Sequence, residues 1–380
     1  MGLLLTFVSN FELILSYVLP FLFVLGIVVI VHELGHFLVG RLCGVGVQAF
    51  SFGMGPELFG YTDRQGTRWR VSAVPIGGYV KFAGDTNIAS VRDATIPKVS
   101  PVSERSVTLN GQRLPKRAAI VAAGPIANFI FSILILSLLV YFYGVASAPP
   151  RIDIVSPDTP AQHAGFKTGD IVKTIDGRSI GNFAEIIDAV SFKADEAMTF
   201  VVERDGAEVT LHATPVLTVI ATPIGSQRVG RLGLGASTDP SDYRTIYLGP
   251  AAALGEGTSQ AWKLVVRTGE YLARIVVGRA STDQLSGPIR IAQISNAVSL
   301  LGIGALLNLT AMLSISLGLM NFLPVPMLDG GHLLFYAIEA VRRKKMSPRA
   351  QELSLRVGLG LVAALTLFVT VNDLWRLVRA

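Results

Sequence analysis

Four long apolar segments, separated by polar and mixed stretches, dominate the pattern of this chain of 380 residues. They run over residues 13–31, 118–143, 300–322 and 353–371. At about 1.5 Å of rise per residue, helices of these lengths match the hydrocarbon core of a bilayer, which is roughly 30 Å thick. The pattern therefore predicts four transmembrane helices, with both ends of the chain on one side of the membrane.

The stretch after the first apolar segment alternates apolar and polar residues in the manner of strands. The alternation is clearest over residues 47–55, 68–74 and 77–82, and the stretch is rich in glycine. It predicts short β-hairpins beside the first span. An exposed strand edge there can dock an extended peptide by β-augmentation, and the alternative is a surface hairpin that only packs.

A separate α+β module is predicted between the second and third spans. Short strands alternate with turn signals, which include Gly165–Asp170 and Asp176–Gly177, and a helix covers residues 183–190. The order of these elements resembles a PDZ domain of the permuted bacterial type, and the alternative is an unrelated β-rich domain. An amphipathic helix from Ala251 onward follows, which we expect to lie on the outer membrane surface or on the module.

The predicted fold class is a polytopic α-helical membrane protein with four transmembrane helices, a cytoplasmic-side β-hairpin loop and an inserted extracytoplasmic α+β PDZ-like domain. The domain boundaries are 1–43 for the first transmembrane helix, 44–117 for the hairpin region, 118–143 for the second transmembrane helix, 150–216 for the PDZ-like domain, 217–295 for an extracytoplasmic linker with the amphipathic helix, 300–341 for the third transmembrane helix, 342–349 for a basic loop and 352–378 for the fourth transmembrane helix.

Composition and charge support a membrane protein and orient it. Hydrophobic residues make up 51% of the chain and charged residues 16%, which is too apolar for an ordinary soluble domain. From Arg41 to Arg117 eleven basic residues face five acidic ones, and a basic run begins at Arg342. The positive-inside rule makes both segments cytoplasmic, so the N- and C-termini and the PDZ-like domain are expected to be extracytoplasmic.

The same charge distribution bears on the expected partners. The net charge of +6 indicates topology and contact with membrane lipid, and we expect no nucleic-acid partner because no soluble basic and aromatic surface accompanies it. The single cysteine, Cys43, lies at the cytoplasmic end of the first span, so the external region has no disulfide.

An HExxH motif, His32-Glu33-Leu34-Gly35-His36, ends the first apolar segment. On a helix His32 and His36 lie on one face and can bind one metal ion, while Glu33 is placed to polarise a metal-bound water. The alternative is a helix end with two interfacial histidines and a capping glutamate. Ionisable groups at the edge of an apolar span are costly and tend to be functional, which favours a functional site over this alternative. The motif lies at the cytoplasmic end of the first span.

A catalytic zinc usually has three protein ligands, and Asp329 is the strongest candidate for the third. It stands alone after the third apolar segment, in a stretch broken by prolines and glycines. A straight helix from Leu300 to Asp329 would span about 43 Å, so a break near the prolines is expected. The alternatives are a helix N-cap role for Asp329 and, for His332, a structural or supporting role beside the ligands.

Taken together, these motifs resemble the site-2 protease family of intramembrane zinc metalloproteases, of the bacterial regulator-of-sigma-E protease type (peptidase M50B). The resemblance covers nearly the whole chain and rests on five features in order: HELGH at 32–36, AGPIANF at 123–129, the PDZ-like module, LSGPI at 285–289 and NFLPVPMLDGGH at 321–332. One PDZ-like module is present, whereas some members carry two in tandem.

The resemblance implies Zn²⁺ bound by His32, His36 and Asp329, with Glu33 as general base and Asn321 near the substrate backbone. For Asn321 the alternative is a helix-packing hydrogen bond, and for Asn128 packing is favoured over a substrate contact. The implied activity is regulated intramembrane proteolysis of single-span membrane proteins, such as anti-sigma factors, after a first extracytoplasmic cut, with remnant signal peptides as a second class.

The implied use of the PDZ-like domain is as a size filter or a peptide-docking site. Two other functions compete with proteolysis. One is a non-catalytic membrane scaffold with a structural metal, and the other is a metal transporter, although a transporter should spread ionisable residues along its path and this chain concentrates them at one level.

Overall fold

A computed structural model describes residues 2–84, 108–222, 225–237, 239, 242–276, 287–344 and 347–379. The chain divides into two compact units, Met1–Leu138 with Leu254–Ala380, and Leu139–Ala253. The described helices, numbered in chain order, are α1 (Gly2–Leu42), α2 (Leu114–Tyr143), α3 (Pro160–His163), α4 (Phe183–Phe192), α5 (Pro250–Val276), α6 (Pro288–Ser299), α7 (Ile303–Asn321), α8 (Asp329–Arg342) and α9 (Pro348–Arg379).

Four of these helices are long and apolar enough to cross a membrane. Their candidate spans are Leu15–Leu42 in α1, Leu114–Tyr143 in α2, Ile303–Asn321 in α7 and Glu352–Asp373 in α9. Close packing of α1 on α2 depends on Gly35, because a Cβ there would collide with the carbonyl oxygen of Ala123 and lie 2.7 Å from the Cβ of Ala127. Small residues let membrane helices approach in this way, so α1 and α2 form a tight pair.

Buried hydroxyl groups join α2 to α7. Ser132 donates to the backbone carbonyl of Ala311 at 2.9 Å, and Ser314 donates to that of Asn128 at 3.2 Å. All four residues are buried. Hydrogen bonds of this kind hold helices together where apolar burial gives no preference for protein over lipid.

The region after α1 forms one antiparallel pair of long, bent strands, β1 (Val47–Thr62) and β2 (Arg68–Phe82), where the sequence predicted short hairpins. The early part of β1 pairs with both ends of β2, since Phe50 lies opposite Val80 on one side and Trp69 on the other. Gly53 has a φ of +83°, a conformation that favours glycine. The ribbon therefore folds over and packs on α1 and α2 through a cluster of Phe37, Val45, Val47, Phe50, Phe82 and Ile120.

The third predicted transmembrane segment, 300–341, is two helices and not one. Helix α7 ends at Asn321, a tight loop follows, and α8 begins at Asp329, so the break expected near the prolines is confirmed. Gly330 and Gly331 allow α8 to sit against this loop, because a Cβ on either would collide with a loop carbonyl oxygen. Met327 in the loop has a φ of +87°, which is strained for a residue with a side chain.

The second unit is an α+β module built on a four-stranded antiparallel sheet. The sheet order is β6-β5-β7-β8, with β5 at Ile171–Ile175, β6 at Arg178–Ser179, β7 at Met198–Arg204 and β8 at Ala207–Ala213. Smaller strand pairs are β3 (Val145–Ser147) with β12 (Arg244–Ile246), β4 (Ile154–Val155) with β11 (Leu234–Gly235), and β9 (Val216–Thr222) with β10 (Gly225–Arg231).

This unit extends beyond the 150–216 boundary predicted for the module. Leu232 is 2% exposed and belongs to the same core as Ile152, Phe166 and Phe200, and β11 pairs with β4. The pairing of β11 with β4 could not be predicted from the sequence, because a strand of two residues has no periodicity and its partner lies about eighty residues earlier.

Two features of the linker region were not anticipated. Helix α5 buries Ala261 against Leu136 of α2 and Ile315 of α7, so it packs on the spans and not only on a membrane surface or the module. Helix α6 begins after Gly287, and the buried carboxylate of Asp373 in α9 accepts hydrogen bonds from the backbone of Gly287 and Arg290. Residues 285–286 of the LSGPI motif lie outside the described residues.

Candidate metal centre

Three of the residues singled out in the sequence come together at one point. Nε2 of His32 lies 3.1 Å from Oδ2 of Asp329 and 3.2 Å from Nε2 of His36, and the His36 to Asp329 distance is 3.5 Å. Among the described residues, these form the group of histidine, cysteine and acidic side chains with metal-binding spacing. The cluster joins two positions nearly three hundred residues apart in the chain.

The donor set and its spacing fit a zinc ion. Ligand atoms on a tetrahedral zinc stand about 3.3 Å apart, given Zn–N and Zn–O distances of about 2.0–2.2 Å. Oδ2 of Asp329 is buried, and no described donor meets hydrogen-bond geometry with it. Two imidazoles and one carboxylate leave a fourth position open, which is the pattern of a catalytic zinc site. His32, His36 and Asp329 would hold the ion.

Two local structures bring the three ligands to the site. His32 and His36 are one turn apart on α1, so their rings face the same side. Asp329 is the first residue of α8, and Leu328 occupies the N-cap, so the N-cap role considered for Asp329 is not the one observed. The loop before α8 and the glycines after Asp329 bring its carboxylate back toward α1.

Glu33 lies on α1 between the two histidines and meets the edge of β2. The backbone of Val80 hydrogen-bonds the Glu33 carboxylate. A Cβ on Gly78 would lie 3.5 Å from Cγ of Glu33 and 2.8 Å from the carbonyl oxygen of Ser51, so the strand passes close to this side chain. The carboxylate therefore sits between the ligand cluster and a strand edge.

Helix α2 forms the other wall of the site, which the sequence did not predict. Nδ1 of His36 is 2.9 Å from the carbonyl oxygen of Ile120, and Asn128 lies 3.2 Å from Nδ1 of His32. A Cβ on Gly124 would collide with Nε2 of His36 and lie 2.9 Å from Cε1 of His32. The AGP run at 123–125 was a visible signal, but its relation to the two rings required the fold.

The remaining candidates lie outside the ligand cluster. Asn321 is the last residue of α7, and the next residue, Phe322, stacks on Phe129 with ring centroids 6.0 Å apart. His332 lies in the first turn of α8, and its ring meets that of Phe335 edge to face at 6.2 Å. Neither side chain belongs to the three-residue group of possible ligands in the described part of the chain.

Comparisons with known proteins show the family of this chain. The model of Peptidase family M50 matches residues 20–365. The chain is 46% identical to "Putative zinc metalloprotease R01501" of Rhizobium meliloti (strain 1021), over 95% of this chain and 97% of the relative. It is 38% identical to "Metalloprotease MmpA" of Caulobacter vibrioides, over 93% of this chain and 94% of the relative.

Among solved structures, the PDZ domain of an SdrC-like protein from Listeria monocytogenes matches 24% of this chain and 90% of its own length, at 17% identity and a TM-score of 0.20. The family model covers most of the chain, including all three clustered ligands and Glu33. Together with the four apolar helices, the match identifies a multi-pass membrane protein that is a zinc metalloprotease. The chain belongs to peptidase family M50.

Proposed function

We propose that this zinc metalloprotease hydrolyses peptide bonds within or at the edge of the membrane, in single-span membrane proteins already shortened outside by another protease. Anti-sigma-factor-like proteins are the first expected class and remnant signal peptides the second. The observation that carries the proposal is the position of Glu33, which lies between the ligand cluster and the edge of β2 at Val80. A substrate strand added at that edge would run directly past the metal ligands.

The proposed chemistry divides between the metal and the chain. When bound, zinc supplies a Lewis acid that polarises the scissile carbonyl and lowers the pKa of a bound water. Glu33 takes the proton of the attacking water and passes it to the leaving amine. Asn321, at the end of α7, is proposed to hold the extended substrate backbone by its side-chain amide.

The substrate must be extended at the cleavage site, because the backbone of an intact helix shields its own peptide bonds from attack. Gly77 and Gly78 lack side chains on the strand next to Glu33, and Gly77 has a φ of +81°. A substrate helix that unwinds here exchanges its internal hydrogen bonds for bonds to a strand edge, so its backbone groups stay paired inside the membrane.

For orientation, we propose that the β1–β2 ribbon and the ligand cluster lie toward the cytoplasm and the second unit outside a bacterial inner membrane. The support is the excess of basic residues from Arg41 to Arg117 and after Arg342. The single native cysteine makes this testable. In a Cys43→Ser background, a cysteine at exposed Gln65 should resist an impermeant thiol reagent in intact spheroplasts, and one at exposed Glu196 should react. The reverse labelling would contradict the orientation.

The second unit contains a groove suited to a peptide, and we propose that it docks or filters substrates as a PDZ-like domain. The groove has a volume of about 290 Å³ and lies between α4 and the segment from Val229 to Leu234. Its α4 wall includes Ile186, Ile187 and Val190. An apolar groove beside a glycine-containing strand fits an extended chain end.

The central experiment compares the wild type with Glu33→Gln in proteoliposomes that contain a single-span substrate. The wild type should release a product cut near the membrane boundary, and Glu33→Gln should reduce turnover at least about a hundredfold while keeping its zinc. A scaffold or a transporter would keep its activity in this variant. Cleavage that continues unchanged in Glu33→Gln would refute the proteolytic mechanism.

The role of the second unit can be tested by deleting most of the unit. Ser147 and Arg244 are paired across β3 and β12, so residues 148–243 can be replaced by a short turn without moving the flanking helices apart. If the unit filters substrates by size, the deletion variant will cut untrimmed and trimmed substrates at similar rates.

A second experiment separates docking from filtering. Ile187→Glu places a charge in the groove, and exposed Ala184→Glu on the same helix is its control. Unchanged selectivity in the deletion would rule out both uses.

A further inference from the structure

Asn128 is a fully buried amide directly behind one of the metal ligands. It lies in the middle of α2 and has 0% exposure. Its Nδ2 atom is 3.2 Å from Nδ1 of His32, and its Oδ1 atom has no hydrogen-bond partner among the described residues. A buried amide with an unsatisfied oxygen is costly, so packing alone does not account for asparagine at this position.

The tautomer of His32 determines which amide atom is needed. The Nε2 atom of His32 faces Asp329 and His36, so it must offer its lone pair to a metal. The proton of the neutral ring then resides on Nδ1, and the atom that faces Nδ1 must accept a hydrogen bond. A half turn about the Cβ–Cγ bond of Asn128 brings Oδ1 to that position and keeps the shape of the side chain.

The hydrogen bond at Nδ1 of His36 already has the direction that the metal site requires. Its Nδ1 atom lies 2.9 Å from the carbonyl oxygen of Ile120, which can only accept. Ile120 and Asn128 are two turns apart on α2, so one helix faces Nδ1 of both histidines. Metal-binding histidines commonly donate their second ring N–H to such an acceptor, which orients the ring and strengthens the ligand.

We propose that Asn128 is a positioning residue whose Oδ1 accepts the Nδ1–H hydrogen bond of His32, and so holds Nε2 toward the zinc. This inference rests on the zinc site of the proposed function. An amide accepts this hydrogen bond without adding a third negative charge beside the carboxylates of Glu33 and Asp329. The hydroxyl of Ser314 donates to the backbone oxygen of Asn128 at 3.2 Å, which joins α7 to α2 at this residue.

The test measures zinc affinity directly, without any substrate. Purified full-length protein in detergent competes with a chromogenic chelator for zinc, and thermal unfolding of each variant monitors folding. Asn128→Leu keeps the volume and loses the acceptor, so its zinc affinity should fall about 10- to 100-fold. Asn128→Asp retains an acceptor oxygen and should stay within about threefold of the wild type or bind more tightly. Thr310→Val is the matched control, because it removes a fully buried hydroxyl whose hydrogen bond stays within α7, at the carbonyl of Leu306.

The outcomes separate this inference from the proposed function. If folded Asn128→Leu binds zinc like the wild type, Asn128 only packs and the inference is overturned. If Asn128→Leu does not fold, Asn128→Asp decides, and a loss of more than tenfold in that variant also overturns it. Normal zinc affinity in all variants together with an inactive Glu33→Gln would leave the proposed function standing and remove only the role of Asn128.

Discussion

Gly124 of α2 lies directly against the imidazole of His36, so closely that a methyl group in place of its hydrogen would collide with Nε2. The nearest atom of His32, Cε1, would be 2.9 Å away. Nothing larger than glycine therefore fits behind the ligand cluster, and the two rings cannot take their metal-binding positions beside any other residue.

Gly124→Ala is expected to weaken zinc binding without unfolding the protein. Relief of an overpacked contact typically costs about 1–3 kcal/mol, which corresponds to roughly a ten- to hundredfold loss of zinc affinity if the rings move to relieve it. The measurement is chelator competition, alongside proteolytic activity. Gly360→Ala is the matched control, since that helical glycine has open space around its Cβ position. Equal zinc affinity in both variants would show that α2 shifts enough to accommodate the added methyl group.

The buried ion pair between Arg117 and Glu339 holds the start of α2 against α8, the helix that carries Asp329. Nη2 of Arg117 lies 2.6 Å from Oε1 of Glu339, and the guanidinium also covers the ring of Tyr336 at 4.9 Å. Because Arg117 is only 6% exposed, Glu339→Ala would leave a buried cation unpaired. We expect a loss of about 3 kcal/mol in unfolding free energy.

The double variant Arg117→Met with Glu339→Ala provides the contrast for this pair. It removes the unpaired charge, so it should recover part of the stability lost in Glu339→Ala alone, as measured by thermal unfolding in detergent. If the stability loss of the double variant equals the sum of the losses of the two single variants, the two residues are not directly coupled.

Met327 stores backbone strain in the loop before Asp329. Its φ of +87° is one that L-residues rarely adopt, and its side chain is 44% exposed. Met327→Gly should therefore raise the unfolding free energy by about 1 kcal/mol, whereas Met327→Ala retains the strain. The difference in melting temperature between the two variants isolates the backbone contribution. A glycine variant no more stable than the alanine variant would mean that the loop does not relax.

The second unit should lose stability in acid through Asp170. Burial would raise the pKa of this carboxyl, but two hydrogen bonds from Arg204 and one from the backbone of Lys167 outweigh burial and hold the pKa below its usual value. A lowered folded-state pKa stabilises the fold above the unfolded pKa of about 4, and this contribution disappears as the pH falls through the lower folded value.

Asp170→Asn tests this dependence. Hydrogen exchange of peptides that cover residues 166–175, in the full-length protein, should show a large difference between wild type and variant at pH 7 and a small one well below pH 4. Comparison of the two proteins at the same pH removes the intrinsic pH dependence of exchange. A difference that is independent of pH would show that the charge of Asp170 does not contribute.

Much of this protein could be predicted from local patterns in its sequence. The four spans follow from runs of apolar residues, because a bilayer requires about twenty of them in a row. His32, Glu33 and His36 follow from helical spacing, and Asp329 follows from a lone carboxylate in a proline-broken segment. Each of these signals lies within a few neighbouring residues, and the structure brings the three possible ligands together.

Only the tertiary structure decided what surrounds those ligands. The acceptor for His36 is a backbone carbonyl 84 residues away, and Gly124 is needed because a side chain there would collide with the imidazole rings. The contact of Glu33 with the edge of β2, the pairing of β11 with β4 and the capping of α6 by Asp373 likewise join distant segments. A carbonyl oxygen belongs to every residue, and free space has no sequence signal. These features therefore arise from helix and strand packing, which local sequence does not encode.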